Sequence, residues 1–238
     1  MTTTFEPGAA VPAGALVKEQ LATQLREAIL QGRLVPGQRV VEGKWAKEFG
    51  VAQASVREAI NLLIGEGFLT KDSGRSARVT KYSEQDVTRI YQVRGALEGL
   101  AAQLAAESGA DLAGMEAALT RMQHAAARDD VKELVEADLA FHLALADASG
   151  NPVLGEMISR LLHPLFSFVL LRMMETHEQA DRWNPDLPRH SQMIYLIRDS
   201  NPAVARQFVE HCVGTFVASA HRVWWPDQTA DRNRKKSS

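Results

Sequence analysis

The chain has 238 residues, 45% hydrophobic and 24% charged, with a formal net charge of −2. That length suits two modest domains or one large one, and the composition is ordinary for a globular protein rather than a disordered or fibrous one. A single cysteine, Cys212, excludes an internal disulfide and fits a reducing compartment. The longest apolar run, Leu161 to Met174, is broken by His163, Pro164 and Arg172, short of the roughly 20 residues of a membrane span. No signal-peptide pattern opens the chain, so a cytoplasmic protein with no membrane partner is expected.

Residues 1–15 are rich in Thr, Gly, Ala and Pro without periodicity and read as a flexible leader. From Val17 to Gln31, Leu21, Leu25 and Ile29 recur every four residues and predict a helix, ended by Gly32 and the Pro36-Gly37 turn. A short helix is expected from about Gly43 to Phe49. Another follows from about Ala54 to Gly65, burying Val56, Ile60 and Leu63. Two extended pieces, Phe68–Lys71 and Ala77–Thr80, flank the polar tip Asp72-Ser73-Gly74-Arg75. Helix, helix-turn-helix and β-hairpin in that order describe a winged helix-turn-helix over 16–81. Residues 1–82 carry 11 Lys/Arg against 8 Asp/Glu, net +3, whereas 83–226 carry 12 against 19, net −7. A basic region beside an acidic one suits one domain that meets phosphate and one that does not.

After Lys81 the pattern is helical throughout. Ser83 with Asp86 has the form of a capping box opening a helix through about Glu107. Further helices are expected near 111–127, 131–148, 152–176, 189–199 and 202–224, and Asn151-Pro152 and Asn201-Pro202 read as N-caps followed by proline. Residues 177–188 form the longest irregular stretch, and 227–238 read as a disordered tail. The expected fold class is therefore mostly α: an N-terminal winged helix-turn-helix, then an all-α helical bundle over 82–226.

The stretch AILQGRLVPGQRVVEGKWAKEFGVAQASVREAINLLIGEGFL resembles the DNA-binding domain of the GntR family of bacterial transcription regulators. Gly32, Leu34, Pro36, Gly37, Ala46, Gly50, Val51, Val56, Arg57, Glu58, Ala59 and Gly67 carry the likeness. The C-terminal part resembles the ligand-binding (FCD) domain of the FadR-type branch in VRGALEGLAAQLAA, DLAFHLALADASGN, RHSQMIYLI and NPAVARQFVEH. Two departures stand out. Ala52-Gln53 occupies the place of the family's Ser/Thr-Arg, which puts the commonest operator in doubt, although a Gln can bridge adenine N6 and N7. Trp45 replaces a leucine.

On the recognition helix, Arg57 faces away from Val56 and Ile60 and is the first candidate for a guanine or phosphate contact; the plain alternative is a surface ion pair with Glu58 or Glu48. Gln53, Ser55 and Lys44, and Ser73, Gly74 and Arg75 at the wing tip, are further DNA-binding candidates.

Polar residues also stand on apolar helix faces. Asp138 and His142 share a stripe with Leu134 and Leu145, His190 aligns with Met193, Ile194 and Ile197, and His211 with Phe208, Cys212 and Thr215. A buried carboxylate is costly unless paired or coordinated, and three imidazoles around it would compensate through a shared divalent ion. Asp plus His ligands suit Zn²⁺, Ni²⁺, Mn²⁺ or Fe²⁺ alike. The plain alternative for each inward His is a hydrogen-bonded core residue. The family resemblance favours the ligand set, and it implies an effector contacted by Arg94 and Asn151, with sugar acids or hydroxy- and dicarboxylates as its class. For Arg94 a structural salt bridge to Glu98 is the alternative.

The functional expectation is a ligand-responsive repressor, homodimeric on a palindromic double-stranded operator and bound by a small organic acid at a metal-containing site. Its rivals are a metal-dependent hydrolase and an effector-independent repressor with a structural metal.

Overall fold

The computed structural model describes residues 15–71, 76–175, 187–199 and 201–224. The leader through residue 14, the wing tip 72–75, most of 177–188 and the tail lie outside the described residues. The chain divides after Thr80 into two compact units.

The first unit contains α1 (Ala15–Leu30), α2 (Glu42–Phe49), α3 (Gln53–Gly65), β1 (Leu69–Thr70) and β2 (Arg78–Val79). The four-residue spacing in α1 buries Leu21, Leu25 and Ile29 against Val56, Ile60 and Leu63 of α3, with Trp45 of α2 closing the core. Each such side chain contributes roughly 1.5–3 kcal/mol of transfer free energy. α2 stops because Gly50, at φ 67°, takes the left-handed conformation and its N–H bonds back to Ala46. Three residues later α3 has begun, a turn short enough to hold two helices as a helix-turn-helix. Ala52, its N-cap, offers no side-chain acceptor. The hairpin strands are shorter than expected, two residues each, with Leu69 opposite Val79 and Thr70 opposite Arg78. Arg39 bridges Arg78 from the loop before α2. The Thr80 hydroxyl, fully buried, donates to the Gly67 carbonyl at 2.6 Å.

The second unit contains α4 (Glu84–Ser108), α5 (Ala113–Ala127), α6 (Val131–Ala148), α7 (Pro152–Glu175), α8 (Leu187–Asp199) and α9 (Pro202–Trp224). Caps set most of the boundaries. The Ser83 and Asp86 side chains accept from each other's backbone N–H as a capping box. The Asn201 carboxamide oxygen accepts from Ala203 N–H at 2.8 Å, and the Asp130 carboxylate caps α6 through Glu133 N–H. α4 lies closely along α9 because Gly95 and Gly99 present no side chain there; a methyl on Gly99 would fall 2.6 Å from Cγ of Glu210.

α7 corrects one expectation. By length and composition its stretch Pro152–Met174 is apolar enough to cross a membrane, because Glu156, Arg160 and Arg172 are its only charged side chains. Its apolar face is occupied by the unit's own core: Leu154, Ile158, Leu162, Leu165 and Phe168 are buried, and the helix packs on α4 and α6.

Candidate metal centre and DNA-reading surface

Within the second unit, side chains from α4, α5, α6, α7, α8 and α9 line a cavity of about 60 Å³. Its polar end is a chain of side chains from three helices. Asp138 and His142, one turn apart on α6, are met by His190 from the first turn of α8. Asp138 Oδ1 lies 3.0 Å from His190 Nε2 and 3.3 Å from His142 Nε2. One ligand atom from each of the three residues falls within 4.8 Å of the other two. Ligands at the roughly 2.0–2.1 Å of a zinc or similar site stand about 3.0–3.4 Å apart along a polyhedral edge, so the two measured separations fit a shared ion.

The other nitrogen of His142 supports that fit. His142 Nδ1 faces Glu98 Oε2 at 2.7 Å, and among the described residues no other polar group hydrogen-bonds either buried atom. A carboxylate there assigns the ring proton to Nδ1 and leaves the Nε2 lone pair for a cation, the arrangement that orients metal-binding histidines. Glu98 is in turn held by Arg94, whose Nε donates to Oε1 at 2.6 Å. The Arg94 guanidinium is flanked by the Tyr91 and Phe166 rings, each 5.0 Å away, and lines the cavity. The structural salt bridge and a cavity-facing role therefore coexist in Arg94.

Electrostatics follow from this packing. Burial pushes the Glu98 and Asp138 carboxyls up, but their partners win: Arg94 and His142 hold Glu98 below its ordinary value, and hydrogen bonds from His142 and His190 hold Asp138 well below its own. Burial and the Arg94 charge oppose protonation of His142, yet Glu98 and Asp138 raise it above an ordinary histidine.

Two expected residues stand elsewhere. His211 is exposed on α9 and outside the cluster. The inward face of that helix runs through Ala205, Val209, Cys212 and Val213, so His211 falls to one side while its neighbour Cys212 lines the cavity. Asn151 is not among the cavity residues; its carboxamide oxygen caps α7, accepting from Val153 and Leu154 N–H at 3.1 and 3.2 Å. The role of Glu98 as the partner of His142 was missed. Its one signal in the sequence is its four-residue spacing from Arg94 on the inward face of α4.

In the first unit, Gln53, Ser55 and Arg57 occupy the first turns of α3, with Gln53 and Arg57 exposed and Ser55 partly so. Lys44 is exposed on α2. The partner of Arg57 is neither Glu58 nor Glu48: its Nε and Nη2 both donate to Glu42 Oε2, at 3.0 and 2.8 Å. Gln53 Nε2 donates to the same oxygen at 3.2 Å. The α2–α3 turn brings the start of α2 beside the start of α3, a juxtaposition that neighbour-spacing within one helix does not reveal. Ser73, Gly74 and Arg75 lie outside the described residues.

Comparison with known proteins agrees with both units. Residues 17–79 match the bacterial regulatory proteins of the gntR family and residues 89–215 match the FCD domain. The transcriptional regulator LutR of Bacillus subtilis (strain 168) is 32% identical over 63% of this chain and 74% of its own length. The gluconate operon transcriptional repressor of Bacillus licheniformis is 25% identical over 68% and 69%. The solved structure of E. coli McbR/YncC superposes with a TM-score of 0.63 at 21% identity, covering 88% of this chain and 97% of that one, and so shares the fold. The family and these relatives are transcription regulators and not enzymes, which sets the hydrolase aside. The chain belongs to the GntR family of DNA-binding transcription regulators, in the branch that carries a C-terminal FCD domain.

Proposed function

We propose that this regulator is a cytoplasmic repressor that binds a palindromic operator as a homodimer, and that a small organic acid bound in the helical cavity beside a divalent ion sets its affinity for DNA. The observation that carries the reading is the largely buried Glu98–His142–Asp138–His190 chain at one end of the helical cavity. Nothing in DNA reading calls for it.

Asp138, His142 and His190 would hold the ion, with Zn²⁺, Ni²⁺, Mn²⁺ and Fe²⁺ all compatible with one carboxylate and two imidazoles. Three protein ligands leave coordination positions for water or an effector oxygen, and the bound ion supplies positive charge there. Arg94 adds a fixed cation, and its remaining guanidinium donors suit a carboxylate. With both imidazoles neutral, Arg94, Glu98 and Asp138 sum to −1, so a divalent ion turns the site to +1 and attracts an acid.

On the DNA side, Arg57 and Gln53 are the proposed base-reading pair, with Lys44, Ser55 and the wing residues Ser73, Gly74 and Arg75 as backbone contacts. Two recognition helices must meet successive major grooves about 34 Å apart, so an effector that changes their spacing lowers operator affinity.

The test is fluorescence anisotropy on the protein's own promoter DNA across a salt series, with and without a panel of organic acids. Sequence-selective binding weakened by one acid supports the reading. Identical affinities at saturating acid reject the switch. They would leave a structural metal in an effector-independent repressor, for which chelation lowers the melting temperature and added acids do not move it.

A further inference from the structure

We infer that the effector is a monocarboxylate with an apolar body, and not one of the sugar acids or dicarboxylates that the family resemblance suggests. This rests on the cavity being the effector site. Of the polar groups that face it, Asp138, His142 and His190 touch one another directly and Arg94 joins them through Glu98, so they gather at one end. Tyr91, whose ring lies against the Arg94 guanidinium, adds a hydroxyl, and Cys212 a weakly polar thiol; most of the remaining wall among the described residues is apolar, with Leu134, Val135 and Phe166 beside Met122, Met173 and Met193. Arg189 is the one further charged side chain of the lining; it stands next to His190 in the first turn of α8 and is partly exposed. A ligand with its carboxylate beside Arg94 therefore lays its body on hydrocarbon. Hydroxyl groups on that body would leave water without gaining a partner. The three methionines are flexible enough to reshape the wall around branched or aromatic groups.

The experiment is calorimetric titration of the full-length, Zn²⁺-loaded protein with isovalerate, acetate, gluconate and malate. Isovalerate is expected to bind at least roughly 100-fold more tightly than gluconate, the scale on which an apolar pocket discriminates against hydroxyl groups. Val135→Thr, which keeps the volume of the wall and adds a hydroxyl, is expected to weaken isovalerate several-fold and leave acetate unchanged. Gluconate or malate binding as tightly as isovalerate, or isovalerate indifferent to Val135→Thr, overturns the assigned class while the effector site stands. No binding of any acid to folded, Zn²⁺-loaded protein removes the effector site and this inference together.

A second inference rests on the DNA-reading surface alone. The geometry points to Glu42 as the residue that sets how strongly operator is preferred over unrelated DNA. One carboxylate oxygen accepts from both Gln53 and Arg57, so it fixes the two side chains relative to each other and occupies two guanidinium donors. Phosphate alone must displace this internal partner to engage Arg57, whereas a base edge of matching geometry repays the exchange with directed hydrogen bonds. Glu42 thus acts as a positioning residue that suppresses sequence-blind attraction. In anisotropy titrations, Glu42→Gln is expected to tighten binding to unrelated duplex, steepen its salt dependence by about one phosphate contact, and lower the operator preference about tenfold. Glu42→Asp is expected to recover part of that preference. Equal weakening on operator and unrelated DNA, with an unchanged salt slope, would assign Glu42 a purely structural role and overturn the inference.

Discussion

Two of the arginine–carboxylate pairs of this chain close at similar distances in opposite surroundings. Arg57–Glu42 closes at 2.8 Å on the recognition surface, with side chains 56% and 20% exposed; Arg94–Glu98 closes at 2.6 Å inside the helical unit, at 5% and 0%. Water screens the first pair, so its partners can be exchanged at a modest cost, one that directed contacts to a base edge repay and a lone phosphate contact does not. The second has no water to fall back on. Breaking it strands a charge, and it therefore serves as a fixed support for His142 and as a wall of the cavity.

Four experiments would sharpen that contrast or break it, from the largest expected effect downward. Glu98→Ala removes one partner of the buried chain and is expected to destabilise the helical unit by about 3–5 kcal/mol, read in urea unfolding. A milder Glu98→Gln is expected to keep the fold and weaken divalent-ion binding about 10- to 100-fold. A loss below 1 kcal/mol in the alanine variant would mean that the two pairs do not differ as described. Arg57→Ala is expected to leave stability unchanged and to weaken operator binding roughly 10- to 100-fold, by anisotropy.

The pH response comes next. Glu98 and Asp138 are held below their ordinary values, so their stabilisation is present above about pH 4 and disappears as pH falls through the depressed values. His142 is raised, so without metal its contribution is complete below about pH 6.5 and is lost as pH rises through the raised value. Metal binding runs the other way because it needs the neutral ring. Melting temperature of the metal-free protein is therefore expected to fall from pH 6 to 9, and ion affinity to rise over the same range. His142→Gln should flatten the first trend. The smallest effect is at Ala52, an N-cap without an acceptor, where Ala52→Ser is expected to add about 1 kcal/mol to the first unit.

Most of the fold was legible because its determinants are local. The apolar spacing of α1, the Ser83–Asp86 capping box and the two Asn-Pro caps act within a turn or two of chain, and the structure has each of them where the sequence puts it. The site was legible only in part. Asp138 and His142 are four residues apart on one helix and had to share a face, and the inward stripe of α8 placed His190 with them. His211 satisfied the same kind of pattern and is turned outward by the rotation of α9; Asn151, an effector contact only through the family resemblance, is used as the cap that its Asn-Pro pattern predicts.

What the sequence by itself determined is the order and extent of the helices, the helix-turn-helix and the pairing of groups along one helix, all governed by backbone hydrogen bonding over a few residues. Tertiary packing alone decided that Glu98 would back His142, that Cys212 and not His211 would line the cavity, and that Glu42 would hold Arg57 and Gln53. Those contacts join residues from 11 to 44 positions apart. They depend on how far each helix is rotated about its own axis, and one residue of rotation, about 100°, exchanges an inward side chain for an outward one.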